Sequence, residues 1–196
     1  GDSGELVTVA SLGGVAHPSG YPLFGLLSRL FVGVIPFGSA TFQVAALSAL
    51  LAAMTLAVLH RAVLRATGDV TAAAVAACGM GVSTLFWRWS VVPEVLSGST
   101  LTAALVVLVC VRVALGWSGP RAGLFLGLAF ATGVAHHHTA ILLAPLLIYG
   151  FVAALPRPLA PRSVAAVLFA AVVGTLVGLL PYLVFLLPGE GWRWGE

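Results

Sequence analysis

Apolar residues fall in long blocks along this chain, separated by short polar clusters, and the block lengths carry the secondary-structure signal. A helix that crosses the hydrocarbon core of a bilayer takes about 20 apolar residues. Four blocks reach or approach that length, with Pro, Gly or charge at their ends. Thr41 to Leu64 follows Phe37-Gly38-Ser39 and, at the helical rise, extends about 36 Å. Val70 to Phe86 follows Asp69, a good N-cap. Val95 to Leu115 follows Pro93-Glu94, which suits a helix start because proline is tolerated in the first turn and an acid complements the positive end of the dipole. Val164 to Leu187 is the fourth. Two shorter blocks, Ala122 to Ala135 and Thr139 to Phe151, flank the triplet His136-His137-His138. Together they are too long for one straight span, and singly each is short. Leu23 to Ile35, between Pro22 and Pro36 and carrying Arg29, predicts a helix that lies in the membrane interface or re-enters.

Composition turns these blocks into a class. The 196 residues are 60% hydrophobic and 8% charged, with a mean hydropathy of +1.11. An ordinary water-soluble domain is about one quarter charged, so that class is excluded, and an all-α membrane protein is predicted. Small residues such as Gly123, Gly127 and Gly133 let helices approach closely. The formal charge is +3 and all 9 basic residues are Arg, thinly spread, which excludes a nucleic-acid partner. Cys78 and Cys110 sit in apolar runs, match no zinc or redox spacing, and read as packing residues. The chain opens on polar residues, without a basic stretch, hydrophobic core and cleavage site in series. No signal peptide is therefore expected, and the chain reads as a fragment that lacks its first span.

Arginine placement orients the bundle, since cytoplasmic loops are enriched in basic residues. If the end of the first long block, at Arg61 and Arg65, is cytoplasmic, one threading also puts Arg112, Arg121, Arg157 and Arg162 inside. It requires the blocks around the histidines to make two passes or a hairpin, with the triplet outside. The same threading collects Asp2, Glu5, His17, Trp87-Arg88-Trp89, Glu94 and Trp192-Arg193-Trp194 on the outer side.

Each of these clusters has a chemical reading and a plain one. Asp2 and Glu5, three apart, share a face if helical, and two carboxylates at a low-dielectric boundary can have their pKa values pushed apart for acid/base work. They equally suit the acids of a helix N-terminus or a solvated chain end. His17-Pro18-Ser19-Gly20-Tyr21-Pro22 is stiff loop material that could present an imidazole to an anion, or simply join two interfacial helices. Consecutive residues of a helix point about 100° apart, so the three histidines cannot converge on one metal without distortion. A helix break facing a polar cavity is the preferred reading; an interfacial cluster and a metal site remain alternatives. Glu94 sits near aromatics and Arg88, and the tryptophans, including Trp192 and Trp194, fit either sugar stacking or an interfacial belt.

The order of the pieces is more specific than any one of them. Asp2-Ser3-Gly4-Glu5, the run Leu12-Gly13-Gly14-Val15-Ala16-His17-Pro18-Ser19-Gly20-Tyr21-Pro22-Leu23-Phe24, then Pro36-Phe37-Gly38, Val92-Pro93-Glu94-Val95, Gly127-Leu128-Ala129 with the histidines, and Trp192-Arg193-Trp194-Gly195-Glu196 resemble the protein O-mannosyltransferase-like multi-pass membrane family. That family looks like a branch of the GT-C glycosyltransferases. The resemblance implies a GT-C helix bundle formed by residues 1–196 as one transmembrane domain: an outer loop with juxtamembrane helices over 1–38, membrane helices over 39–187, and an outer loop over 188–196. It implies transfer of a sugar, mannose by family, from a polyprenyl phosphate to a hydroxyl of a protein Ser/Thr or glycan acceptor on the non-cytoplasmic side.

Asp2 matches the acid of the family's first outer loop, with Glu5 its companion, and the two are the expected catalytic residues. His17, Arg88, Glu94, His136, His137, His138, Trp192 and Trp194 are expected to bind donor and substrate. The family's loop ends in Pro-Pro-Leu; here Ser19 stands where a second proline is common, and Leu96 follows Val95 where an aromatic is frequent. A glycosyl phosphate already carries a leaving group, so the chemistry needs one base and a few cations or donors, and direct displacement inverts the anomeric centre. No metal and no cofactor besides the lipid-linked sugar is expected. The implied location is the inner membrane of a bacterium or the endoplasmic reticulum membrane of a eukaryote. A transporter with an intramembrane His/Glu pathway is the competing class, though the inverted repeats common in such folds are not visible.

Overall fold

The computed structural model describes residues 2–18 and 20–186 together with the backbone of 192–193. Nine α-helices follow one another among the described residues. Helix α1 is Ser3–Leu12, α2 Pro22–Val34, α3 Ala40–Thr67, α4 Val70–Gly81, α5 Thr84–Ser90, α6 Leu96–Ala114, α7 Pro120–His136, α8 Ala144–Ala154 and α9 Pro161–Gly178. Short 3₁₀ segments precede α8 (His138–Leu143) and follow α9 (Leu180–Leu186). Among the described residues, Gly14–Val15 also pairs in parallel with Trp192–Arg193.

Helix ends follow local chemistry. Ser39 caps α3 through the amide of Phe42, and Asp69 caps α4 through the amides of Thr71 and Ala72. Pro22, Pro120 and Pro161 open α2, α7 and α9, where a missing amide hydrogen costs nothing.

Among the described residues, three helices are long and apolar enough to cross a membrane: α3, α6 and α9. A fourth crossing results if α4 and α5 count as one span, but the pair is bent by 65°. The block from Val70 to Phe86, expected as one span, is thus broken into two helices. Gly79 and Gly81 weaken the helix there, and Ser83 ends it by turning its amide and hydroxyl back onto the Met80 carbonyl. The block from Val164 to Leu187 is likewise not one helix. It stops at Gly178 and tightens into the 3₁₀ segment, where Pro181 has no amide hydrogen to continue an α-helix. Leu23 to Ile35 does form the expected short helix, α2.

Packing contacts fix the direction of each helix. Ser48 meets Glu94 and Thr55 meets Thr100, so α3 and α6 run parallel. His136, the last residue of α7, bonds to Val95 just before α6, so α7 returns antiparallel. The Gly119 amide at the foot of α7 reaches the Ala154 carbonyl, so α8 descends beside it. Helix α9 then rises parallel to α7 with the two backbones touching. A Cβ on Gly127 would lie 2.2 Å from the carbonyl oxygen of Ala171, and one on Gly174 2.1 Å from that of Leu124. Only glycine permits that approach.

One end of the bundle thus gathers Arg61, Arg65, Arg112, Arg121, Arg157 and Arg162 at helix ends and connections. The other end carries α1, α2 and the helix break at His137. There Leu6, Val9, Phe24, Val44, Leu47, Leu51 and Val95 form one apolar core that seats α1 and α2 on α3 and α6. A second core, around Val106, Val109, Leu126 and Leu147, joins α6, α7 and α8. Large apolar side chains stay exposed on the outer faces, Phe169, Val172 and Leu176 of α9 among them, as a surface that meets lipid requires.

Candidate active site

Asp2 sits at the N-cap of α1 but makes no capping hydrogen bond through its side chain. Its carboxylate is 59% exposed and points instead to His17, with Oδ2 3.9 Å from Nε2. Asp2 and Glu5 thus stand at a helix N-terminus, as their plain reading has it, but the Asp2 side chain turns toward His17 and not onto the helix amides. One turn on, Glu5 shares the same face and is committed to the loop. It accepts the backbone amide of His17 and, at 2.9 Å, the imidazole Nδ1–H. A carboxylate accepts only, so in neutral His17 the ring proton sits on Nδ1 and Nε2 offers its lone pair. The Tyr21 hydroxyl lies 2.6 Å from that nitrogen and donates to it.

Tyr21 was not anticipated from the sequence. It is 6% exposed and adopts φ 44° and ψ 56°, left-handed backbone that a bulky residue rarely takes. That kink sends the chain straight into Pro22 and α2 while the phenol turns back under His17. The ring stands edge-on to His17 with centroids 5.0 Å apart and stacks on His137 at 5.3 Å and 17°. Burial, then the charges of Asp2, Glu5 and Glu94, hold the phenol above its ordinary pKa, so it stays a donor. The signal that could have found Tyr21 is its place four residues after His17 and directly before the proline that opens a helix.

The three histidines separate. His136 is 1% exposed, donates through Nε2 to the Val95 carbonyl at 2.8 Å, and meets the Phe24 ring edge-on. It braces α7 against α6 and α2, buried, where it was expected to bind donor or substrate with its two neighbours. His137 has extended backbone, φ −157° and ψ 130°, and so ends α7. Its Nδ1 accepts the Thr139 amide at 3.1 Å, which places the ring proton on Nε2. Burial, then His138 and His17, lower its pKa, so the neutral form prevails at neutral pH. His138 is exposed and stacks on His137 at 4.7 Å and 18°.

Glu94 is buried beside this group. Its backbone is held by the Ser48 hydroxyl through both amide and carbonyl, and Ser3 donates to Oε1 at 3.5 Å. Burial, then the charge of Asp2, raise its carboxyl above the ordinary value. The two acids thus sit in different environments, Asp2 exposed and Glu94 buried, with the charge of Asp2 acting on Glu94.

The structure therefore brings Asp2, Glu5, His17, Glu94, His137 and His138 to one end, and adds Ser3 and Tyr21. Arg88 is exposed on α5 and stacks on its neighbour Trp89, its guanidinium carbon 5.1 Å from the ring centroid, with no carboxylate paired to it among the described residues. The backbone of Trp192 pairs with Gly14, three residues before His17; the Trp192 side chain and all of Trp194 lie outside the described residues. Among the described residues no three of His, Cys, Asp and Glu are grouped to hold a metal ion.

Residues 2–157 match the family model for the protein O-mannosyl-transferase TMEM260 N-terminal domain, which covers the whole of this site except its return strand. The chain belongs to this family. A protein O-mannosyl-transferase TMEM260 of Mus musculus is 32% identical over 203 residues, an alignment that takes in 100% of the chain and 29% of that protein. A protein O-mannosyl-transferase tmem260 of Dictyostelium discoideum is 27% identical over 157 residues, covering 73% of the chain and 19% of that protein. The chain thus spans less than a third of either TMEM260 relative. No solved structure matches it.

Proposed function

We propose that this TMEM260-family chain is the front of a membrane O-mannosyltransferase of GT-C type, which moves mannose from a polyprenyl phosphate to a Ser or Thr hydroxyl with inversion. The observation that carries the reading is the Asp2 carboxylate, which makes no capping hydrogen bond and is presented, exposed, beside His17, where its charge also raises the buried carboxyl of Glu94. In a glycosyl phosphate the leaving group is in place. The enzyme must then take a proton from the acceptor hydroxyl and hold the departing phosphate. Asp2 is the base. His138 and the Nε2–H of His137 are the donors toward phosphate or sugar, and Arg88, exposed on α5, is a further candidate cation. His136 supports the break that presents them.

The six arginines at the far end support an outer, non-cytoplasmic site by the positive-inside rule. Residues 1–38 then form an outer loop with juxtamembrane helices α1 and α2, and 39–187 carry the membrane helices; the expected outer loop over 188–196 lies outside the described residues except for the backbone of 192–193. Its partners are membrane lipid, the lipid-linked donor, and a protein or glycan acceptor. Its location is the bacterial inner membrane or the endoplasmic reticulum. No metal and no further cofactor enters the mechanism.

The test is transfer from polyprenyl-phosphate mannose to a Ser/Thr peptide by the full-length protein in proteoliposomes. Asp2→Asn keeps shape and loses basicity, so turnover should fall about 10²- to 10⁴-fold with donor still bound. His138→Ala should raise the donor KM, and exhaustive chelation should leave turnover unchanged. Near-normal turnover by the Asn variant would remove Asp2 from the mechanism.

A further inference from the structure

We propose that His17 is the proton station behind Asp2 and that Tyr21 is the positioning residue that keeps its Nε2 ready to receive the proton. The proposal rests on the transferase reading above and adds to it a route for the proton once Asp2 has taken it. Three groups define the station: Glu5 on Nδ1 at 2.9 Å, Tyr21 on Nε2 at 2.6 Å, and the Asp2 carboxylate 3.9 Å from the same Nε2. Glu5 also takes the His17 backbone amide and so pins main chain and side chain together.

Glu5 dictates the tautomer. With Nδ1–H given to the carboxylate, the basic lone pair of the ring is on the side of Asp2. Without a second partner the ring could turn about its bonds to the backbone, and the tyrosine hydroxyl blocks this. The fold keeps Tyr21 there at a cost: left-handed backbone at a buried aromatic is strained, and such strain persists where surroundings over-determine it. The stack on His137 is one such constraint, and it ties the station to the helix break that carries His138.

The acceptor O–H bond breaks as its oxygen attacks the anomeric carbon, and the bond from that carbon to the phosphate oxygen breaks with the electron pair leaving on phosphate. The proton goes to Asp2. It then passes from Asp2 to Nε2 of His17, giving an imidazolium flanked by the carboxylates of Glu5 and Asp2, while the Tyr21 hydroxyl rotates from donating to accepting. The proton returns through the exposed Asp2 to solvent as products leave. Closing the 3.9 Å gap requires the exposed Asp2 side chain to approach by about 1 Å, the difference from an ordinary hydrogen bond. Asp2 is thus reset as a base between turnovers.

Tyr21→Phe in the full-length protein keeps the ring and its stack and removes only the hydroxyl. We expect kcat to fall about 10- to 100-fold, with KM for donor and acceptor and the melting temperature unchanged, and no further loss when the same change is made on a His17→Ala background. A merely structural ring would be fully served by phenylalanine. Wild-type kcat in Tyr21→Phe, or losses that multiply with His17→Ala, would overturn the proposal. Imidazole nitrogen NMR of the wild type supplies a readout free of activity: His17 should carry its proton on Nδ1, and an Nε2–H tautomer would overturn it, also if Tyr21→Phe fails to fold. Absence of mannosyl transfer by the wild type, with the Nδ1–H tautomer present, would count against the transferase reading and not against the placement of His17.

Discussion

The imidazole of His136 occupies the space where Gly98 would carry a side chain. A Cβ on Gly98 would lie 2.1 Å from Cε1 of that ring and 2.2 Å from its Nε2. Because Gly98 is bare, the ring lies flat enough on α6 to donate to the carbonyl of Val95, one residue beyond the buried Glu94. A core histidine thereby sets where α7 ends, and the residues after it fall beside Tyr21.

Gly98→Ala should displace His136 and cost about 1 to 3 kcal/mol, seen as a lower melting temperature in detergent. Turnover should fall with it, because the break at His137 moves. His136→Ala would leave the Val95 region without its donor and should destabilise to a similar extent. Unchanged melting for Gly98→Ala would show that the ring is free to leave.

Gly174→Ala tests the contact between α7 and α9, whose carbonyl and Cα atoms are at packing distance with no room for a methyl group. The helices must separate, and the expected loss is about 1 to 3 kcal/mol. The exposed control Gly68, with nothing near its Cβ position but φ 71°, is unsuitable because its backbone is itself glycine-dependent; Gly4, which has open space, is the proper control. Equal melting temperatures for Gly174→Ala and Gly4→Ala would contradict the close approach.

The raised carboxyl of Glu94 predicts a pH dependence of stability. Folding favours the protonated form, so this contribution is complete below the ordinary value near 4.5 and is lost as pH rises through the higher folded value. The melting temperature should therefore decline over that window in the wild type. Glu94→Gln should remove that part of the decline and be at least as stable at pH 7. Identical slopes for both proteins would place the titration elsewhere.

The proposed topology puts the arginine-bearing ends of α3, α6 and α7 opposite to α1. In cells, with Cys78 replaced by Ser, Arg65→Cys and Ser11→Cys should be labelled from opposite sides of the membrane. Labelling of both from one side would sink the threading, whatever the chemistry at Asp2.

What the sequence determined by itself was the list of helices and the membrane class. Block length, proline starts and the caps at Ser39 and Asp69 are local, and hydropathy is additive along a block, so α2, α3, α6 and the break at the histidines are legible without packing. The family is legible too, because the motifs occur in order along one chain. The 65° turn between α4 and α5 and the early end of α9 were hidden, since glycine and proline inside an apolar block lower helix stability without stating where the chain will turn. The site was half visible: the acids and histidines advertise chemistry by type, but which histidine is buried depends on a missing Cβ at Gly98, and the part played by Tyr21 depends on one left-handed residue. Those are relations between segments far apart in sequence, and only the tertiary structure decides them, because burial and contact belong to the packed helices and not to any single residue's identity.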